Sequence, residues 1–163
     1  MYEAFRWLLA VELLGMLAFP IAFLIFRRLP DRGYTLSKVF AFLLVFYVWW
    51  ILGLTNIIPA SRSTLGIIVV VFAVFSIVIT LRHRHSLKGF VRSEGALLVS
   101  SELLFVVFYL GWLAFVSHTP QINHTEKPMD FGFINAVLQS TTFPPEDPWL
   151  SGHSISYYYF GHL

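Results

Sequence analysis

The chain has 163 residues, 57% of them hydrophobic and 12% charged, with a mean hydropathy of +0.72 and a formal net charge of +2. An ordinary soluble domain carries about a quarter charged residues and about half apolar ones, so this composition excludes one and points to an all-α, polytopic membrane protein. The small, dispersed positive charge excludes nucleic-acid binding, and the absence of cysteine excludes disulfides and thiolate metal sites.

The first apolar run extends from Ala4 to Phe26, interrupted by Glu12 and Pro20. A span needs roughly 20 mostly apolar residues to cross a hydrocarbon core of about 30 Å, so this run suffices, and Pro20 is expected to kink it. Its start, Met1-Tyr2-Glu3-Ala4-Phe5-Arg6, fits a cleaved signal peptide poorly, and the run reads as a retained span. The second run, Val39 to Ser61, and the third, Ser63 to Leu81, hold no acidic or basic residue, and only Pro59-Ala60-Ser61-Arg62 is read as the hairpin between them. The fourth runs from Gly95 to Ser117 with Glu102 inside it. The organisation read from these runs is a four-span region over residues 1–117, then an extracytoplasmic loop over 118–163 that ends in the start of a fifth span.

Lys and Arg in short loops set orientation. The connection at 27–38 holds Arg27, Arg28, Arg32 and Lys38, and that at 82–93 holds Arg82, Arg84, Lys88 and Arg92. Both are read as cytoplasmic loops of a cell-membrane protein, with the N-terminus and residues 118–163 outside. The aromatic run Tyr157 to Leu163 resembles the interfacial belt at the start of a further span, which makes the chain the N-terminal part of a longer polytopic protein.

Thr125 is a suitable N-cap, Pro128 is tolerated in a first helical turn, and Glu126 and Asp130 suit the positive end of a helix dipole. The period over Met129 to Thr141 places Phe133, Ile134, Val137 and Leu138 on one side and Gly132, Asn135 and Gln139 on the other, the pattern of a membrane-surface helix. Asp130 projects from the apolar side and Glu126 stands one turn before it. An inward-facing pair of this kind reads as a candidate catalytic site, against the alternative that both acids only stabilise the helix start beside Lys127.

Phe143-Pro144-Pro145-Glu146-Asp147-Pro148-Trp149 is expected to be a rigid turn rather than a helix, with Glu146 and Asp147 either solvating it or serving as ligands. His118, His124, His153 and His162 share the outer side without a metal-binding spacing, and Asn123-His124-Thr125 fits a glycosylation sequon. Glu12 and Glu102 each lie about 12 Å deep in a span at the helical rise. Ionisable residues at that depth are functional candidates. Their alternative role is a protonated carboxyl bonded to Ser100, Ser101 or Asn56 on a neighbouring span.

The order Thr-Glu-Lys-Pro-Met-Asp, then Phe-Pro-Pro-Glu-Asp-Pro-Trp-Leu-Ser-Gly, then Tyr-Tyr-Tyr-Phe-Gly-His resembles the bacterial and archaeal membrane proteins named for their YYY signature, over Thr125 to His162. That family is similar to GT-C class glycosyltransferases, which take sugars from polyprenyl-phosphate carriers. The resemblance implies a first outer loop with an acidic motif at Glu126 and Asp130, a surface helix over Met129 to Thr141 and a return into the membrane over Asp147 to Tyr159. Four spans precede the loop here, and the acids are four residues apart rather than adjacent.

The expected activity is an inverting transfer of a sugar from a polyprenyl-phosphate donor to an outer-face acceptor. Of the catalytic pair Glu126 and Asp130, one would be the general base and the other, with Lys127 or a bound cation, would position the donor phosphate. Lys127, Asp147, His153, Tyr157, Tyr158, Tyr159 and His162 are candidates for substrate binding. The partners implied are the bilayer and a lipid-linked sugar, with a bound divalent cation as a further candidate that no ligand motif supports. A secondary transporter or channel subunit built on Glu12 and Glu102, and a non-catalytic scaffold, are the other function classes.

Overall fold

A computed structural model describes residues 2–123 and 125–163. Six α-helices follow in order: α1 (Tyr2–Ile25), α2 (Ser37–Leu54), α3 (Arg62–Arg82), α4 (Arg84–Ser93), α5 (Gly95–Ser117) and α6 (Lys127–Gln139), with a 3-10 turn at Phe160–His162. Among the described residues the only β pairing is an isolated bridge between Glu146 and Ser154. α1, α2, α3 and α5 are long and apolar enough to cross a membrane, as the apolar runs predict. The protein is an all-α, multi-pass membrane protein. Ile67, Val71, Leu104, Val107 and Phe108 are exposed along α3 and α5, surface that suits lipid tails or neighbouring spans rather than water.

α1 includes Pro20, which is buried. Several boundary expectations need correction. The second span begins at Ser37 and ends at Leu54, so the connection to α3 has seven residues rather than four; Asn56, at φ 54°, turns the chain out of the helix. The basic connection after the third span is not a loop, because Arg84–Ser93 forms α4, separated from α3 by His83 alone and from α5 by Glu94 alone. Thr125 is not the N-cap of α6. Its φ of 55° is left-handed, Glu126 takes the cap position without a side-chain cap bond, and the helix covers 127–139 rather than 129–141.

The chain divides into two compact units, Met1–Leu44 with Val70–Thr119, and Val45–Val69 with Pro120–Leu163. In the first, Phe23 of α1, Leu87 and Phe90 of α4 and Leu98 of α5 form a buried cluster ringed by Phe19, Leu24 and Tyr34. Phe23 meets Phe90 edge to face at 5.4 Å, and the Arg32 guanidinium sits 4.6 Å over the Phe23 ring.

In the second unit, Trp49, Ala60, Val137 and Phe143 form the core, with Trp50, Leu65, Tyr159 and Leu163 around them. Two backbone bonds tie the segment after α6 to the α2–α3 connection: Ala60 N donates to Thr141 O at 2.7 Å, and Phe143 N to Gly53 O at 3.3 Å. Gly53 permits the latter approach, since a Cβ there would lie 2.4 Å from the Phe143 ring.

Candidate functional site

Glu126 at the N-cap and Asp130 in the first turn open α6, and both are met by the aromatic run near the end of the chain. Tyr158 donates its hydroxyl proton to Glu126 Oε2 at 3.2 Å, and His162 Nε2 lies 3.0 Å from Asp130 Oδ1. Both pairs are 32 residues apart in sequence, because Glu126 and Asp130 are four apart and so are Tyr158 and His162. The Tyr158 and His162 rings stack at 5.7 Å with an interplanar angle of 22°, which holds the two donors in line with the two acceptors.

Burial differs across this ladder. The His162 side chain is 11% exposed, wedged edge-on against Phe133 at 5.5 Å, whereas Asp130 is 42% exposed. Among the described residues, Asp130 Oδ2 takes no hydrogen bond, and His162 Nδ1 is buried without a partner. Glu126 and Tyr158 are exposed. Desolvation first, and then the Glu126 carboxylate, raise the Tyr158 phenol above its ordinary value, so it stays a proton donor.

The other substrate-binding candidates are distributed unevenly. Tyr157 joins the ladder, 4.2 Å from Tyr158 and 6.4 Å from Phe133 between ring centroids. Tyr159 turns the other way: its hydroxyl accepts from Trp50 Nε1 at 2.7 Å and its ring stacks on Phe143. Lys127 Nζ donates to the Gln121 carbonyl at 3.2 Å. Asp147 closes its own turn, its Oδ1 accepting from Trp149 N at 2.8 Å and Leu150 N at 3.1 Å, and its N–H donates to the His153 carbonyl. His153 thus enters through its backbone and is exposed.

On α6, Phe133 and Val137 are buried, while Ile134 and Leu138 are exposed at 41% and 54%. The polar face lines a cleft of about 730 Å³ against the Pro-rich turn, with Asn135, Gln139, Thr142, Glu146, Asp147 and Ser154 in its wall. Trp149 covers Gly132, where a Cβ would lie 2.5 Å from the indole. Of the histidines, His118 Nδ1 lies 2.7 Å from the Ala114 carbonyl. His124, the middle residue of the sequon Asn123-His124-Thr125, falls outside the described residues. Among the described residues no group of three His, Asp or Glu side chains gathers where a metal ion could be held.

The intramembrane acids have a partner that sequence reasoning missed. Lys38 Nζ lies 3.1 Å from Glu12 Oε2 and 2.6 Å from Glu102 Oε1, and the Tyr34 hydroxyl donates to Glu102 Oε2 at 2.8 Å. Lys38 belongs to the first turn of α2 rather than to a loop. Its stem fits because Gly15 of α1 has no side chain; a Cβ there would lie 2.7 Å from Lys38 Cγ. Ser100 and Ser101 bond instead to the Leu97 carbonyl of their own helix. Three ionic side chains from three spans meet beside a phenol, and Lys38 offsets one of the two carboxylate charges, while Glu12 Oε1 is buried without a hydrogen-bond partner among the described residues.

Among known proteins, the family described as Uncharacterized membrane protein (DUF2298) matches residues 44–163. No curated protein and no solved structure matches the chain.

Proposed function

The chain belongs to the DUF2298 family of membrane proteins, and on that premise we propose that it carries part of a glycosyltransferase site, moving a sugar from a polyprenyl-phosphate donor to an acceptor on the outer face. The observation that carries this reading is the double pairing of Glu126 with Tyr158 and Asp130 with His162. A helix that needed acids only for its dipole would not require a phenol and an imidazole to meet them. Here two distant motifs meet, and among the described residues Glu126 Oε1 and Asp130 Oδ2 take no hydrogen bond.

Asp130 is the general base. His162 holds Oδ1, which leaves Oδ2 to take the acceptor hydroxyl proton as the acceptor oxygen bonds to the anomeric carbon. The bond from that carbon to the phosphate oxygen breaks, and polyprenyl phosphate leaves with the electron pair. Glu126 and Tyr158 present an acceptor and a donor to sugar hydroxyls, and the faces of Tyr157 and Tyr158 suit the C–H surface of a pyranose.

Lys127, the one Lys or Arg in 118–163, is the cation that would position the donor phosphate. Among the described residues the acid pair alone does not amount to a three-ligand metal centre. The charge count supports a plasma-membrane topology with the N-terminus and 118–163 outside and 27–38 and 82–93 inside.

The test is transfer from a polyprenyl-phosphate hexose by the full-length protein. Asp130→Asn is expected to lower the rate about a hundredfold or more, the range of a lost general base, and Glu126→Gln by less. Undiminished transfer in both variants would remove this assignment.

A further inference from the structure

α4 has two faces of opposite character. Leu87 and Phe90 are buried in the cluster with Phe23 and Leu98. Arg84, Lys88 and Arg92, spaced four apart, form one exposed stripe along the helix. Among the described residues none of the three pairs with a carboxylate. Arg27 and Arg28, where the chain leaves α1 beside Phe23, are likewise exposed and unpaired. The acid of that connection, Asp31, is spent on its own turn, accepting from Gly33 N at 3.1 Å and Thr35 N at 2.8 Å.

α4 joins the end of the span α3 to the start of the span α5 through single residues, so it lies at the level where spans leave the hydrocarbon. We infer that the stripe Arg84, Lys88 and Arg92, with Arg27 and Arg28, is a docking site for the headgroups of anionic phospholipids. The span from residue 84 to residue 92 is about 12 Å at the helical rise, too long for one free phosphate to meet all three cations but suited to a row of headgroups. Because the apolar face is packed on protein rather than inserted in lipid, charge supplies the attraction to the bilayer surface.

The test uses the full-length protein in phosphatidylcholine nanodiscs containing a minor fraction of spin-labelled phosphatidylglycerol, with spin-labelled phosphatidylcholine as the reference. The wild type is expected to immobilise the anionic lipid preferentially. The variant Arg84→Gln/Lys88→Gln/Arg92→Gln should lower that preference at least about threefold, since each removed cation weakens attraction to an anionic surface. Arg84→Lys/Arg92→Lys should retain it, which separates charge from helix packing, and Arg62→Gln should leave it unchanged. An unaltered preference in the triple Gln variant, or an equal loss in the Lys variant, overturns the inference.

Discussion

Two pairs of acids in this protein meet opposite fates. Glu12 and Glu102 share Lys38, with side-chain exposures of 20%, 29% and 13%, so a full positive charge within salt-bridge distance of both offsets one of the two negative charges. Glu126 and Asp130 are met by a phenol and an imidazole, sit in a more open place, and keep Asp130 Oδ2 free of bonds among the described residues. The difference teaches that depth alone does not mark a reactive acid. A carboxylate in a span must be neutralised before the helices can pack, whereas one at a surface held by weaker donors can still accept a proton.

The largest effect should come from removing the shared cation. Lys38→Met leaves two carboxylates facing each other and is expected to destabilise the full-length protein by about 3 kcal/mol or more, the cost of an uncompensated buried charge. The triple variant Glu12→Gln/Lys38→Met/Glu102→Gln should recover most of that loss in thermal unfolding. If Lys38→Met melts like the wild type, the intramembrane cluster is not a structural lock, and the contrast with the outer pair collapses.

A smaller effect tests whether the outer pair depends on the core beneath it. Gly53→Ala would drive its Cβ into the buried Phe143 ring, at a cost of about 1–3 kcal/mol for overpacking. The displaced segment carries Tyr159 on its face, so sugar transfer should fall along with stability, while Gly66→Ala, which meets nothing within 4 Å, should change neither.

Asp31 gives the smallest expected effect. Burial raises its carboxyl, but the hydrogen bonds from Thr35 and Gly33 outweigh it and hold the group below its usual value of 3.8. A depressed value contributes stability above the unfolded value and loses it as pH falls through the folded one. Asp31→Asn should therefore cost about 1 kcal/mol or less at neutral pH, and the difference from wild type should vanish in acid. A difference that persists in acid would make the turn's stability a matter of shape rather than charge.

The four spans were legible from long apolar runs because a membrane-crossing helix declares itself by length and composition. The misplaced boundaries have local causes. Thr125 has the chemistry of a cap but adopts a left-handed backbone, and the basic residues of α4 mask a helix whose apolar side comprises little more than Leu87 and Phe90. Glu12 and Glu102 were recognisable as unusual, but their partner lies 64 residues from one of them and was counted with a loop. No periodicity connects positions so far apart. The outer ladder did leave a trace: the spacing of four in Glu126 and Asp130 recurs in Tyr158 and His162, a match that becomes meaningful once the chain is folded back.

The most direct measurement is a double-mutant cycle on the sugar-transfer rate of the full-length protein, using Asp130→Asn, His162→Gln and both together. If His162 acts by holding Asp130 as the base, the double variant should be no slower than Asp130→Asn alone, a strongly non-additive result. Losses that simply multiply, or a His162→Gln variant as fast as the wild type, would contradict it.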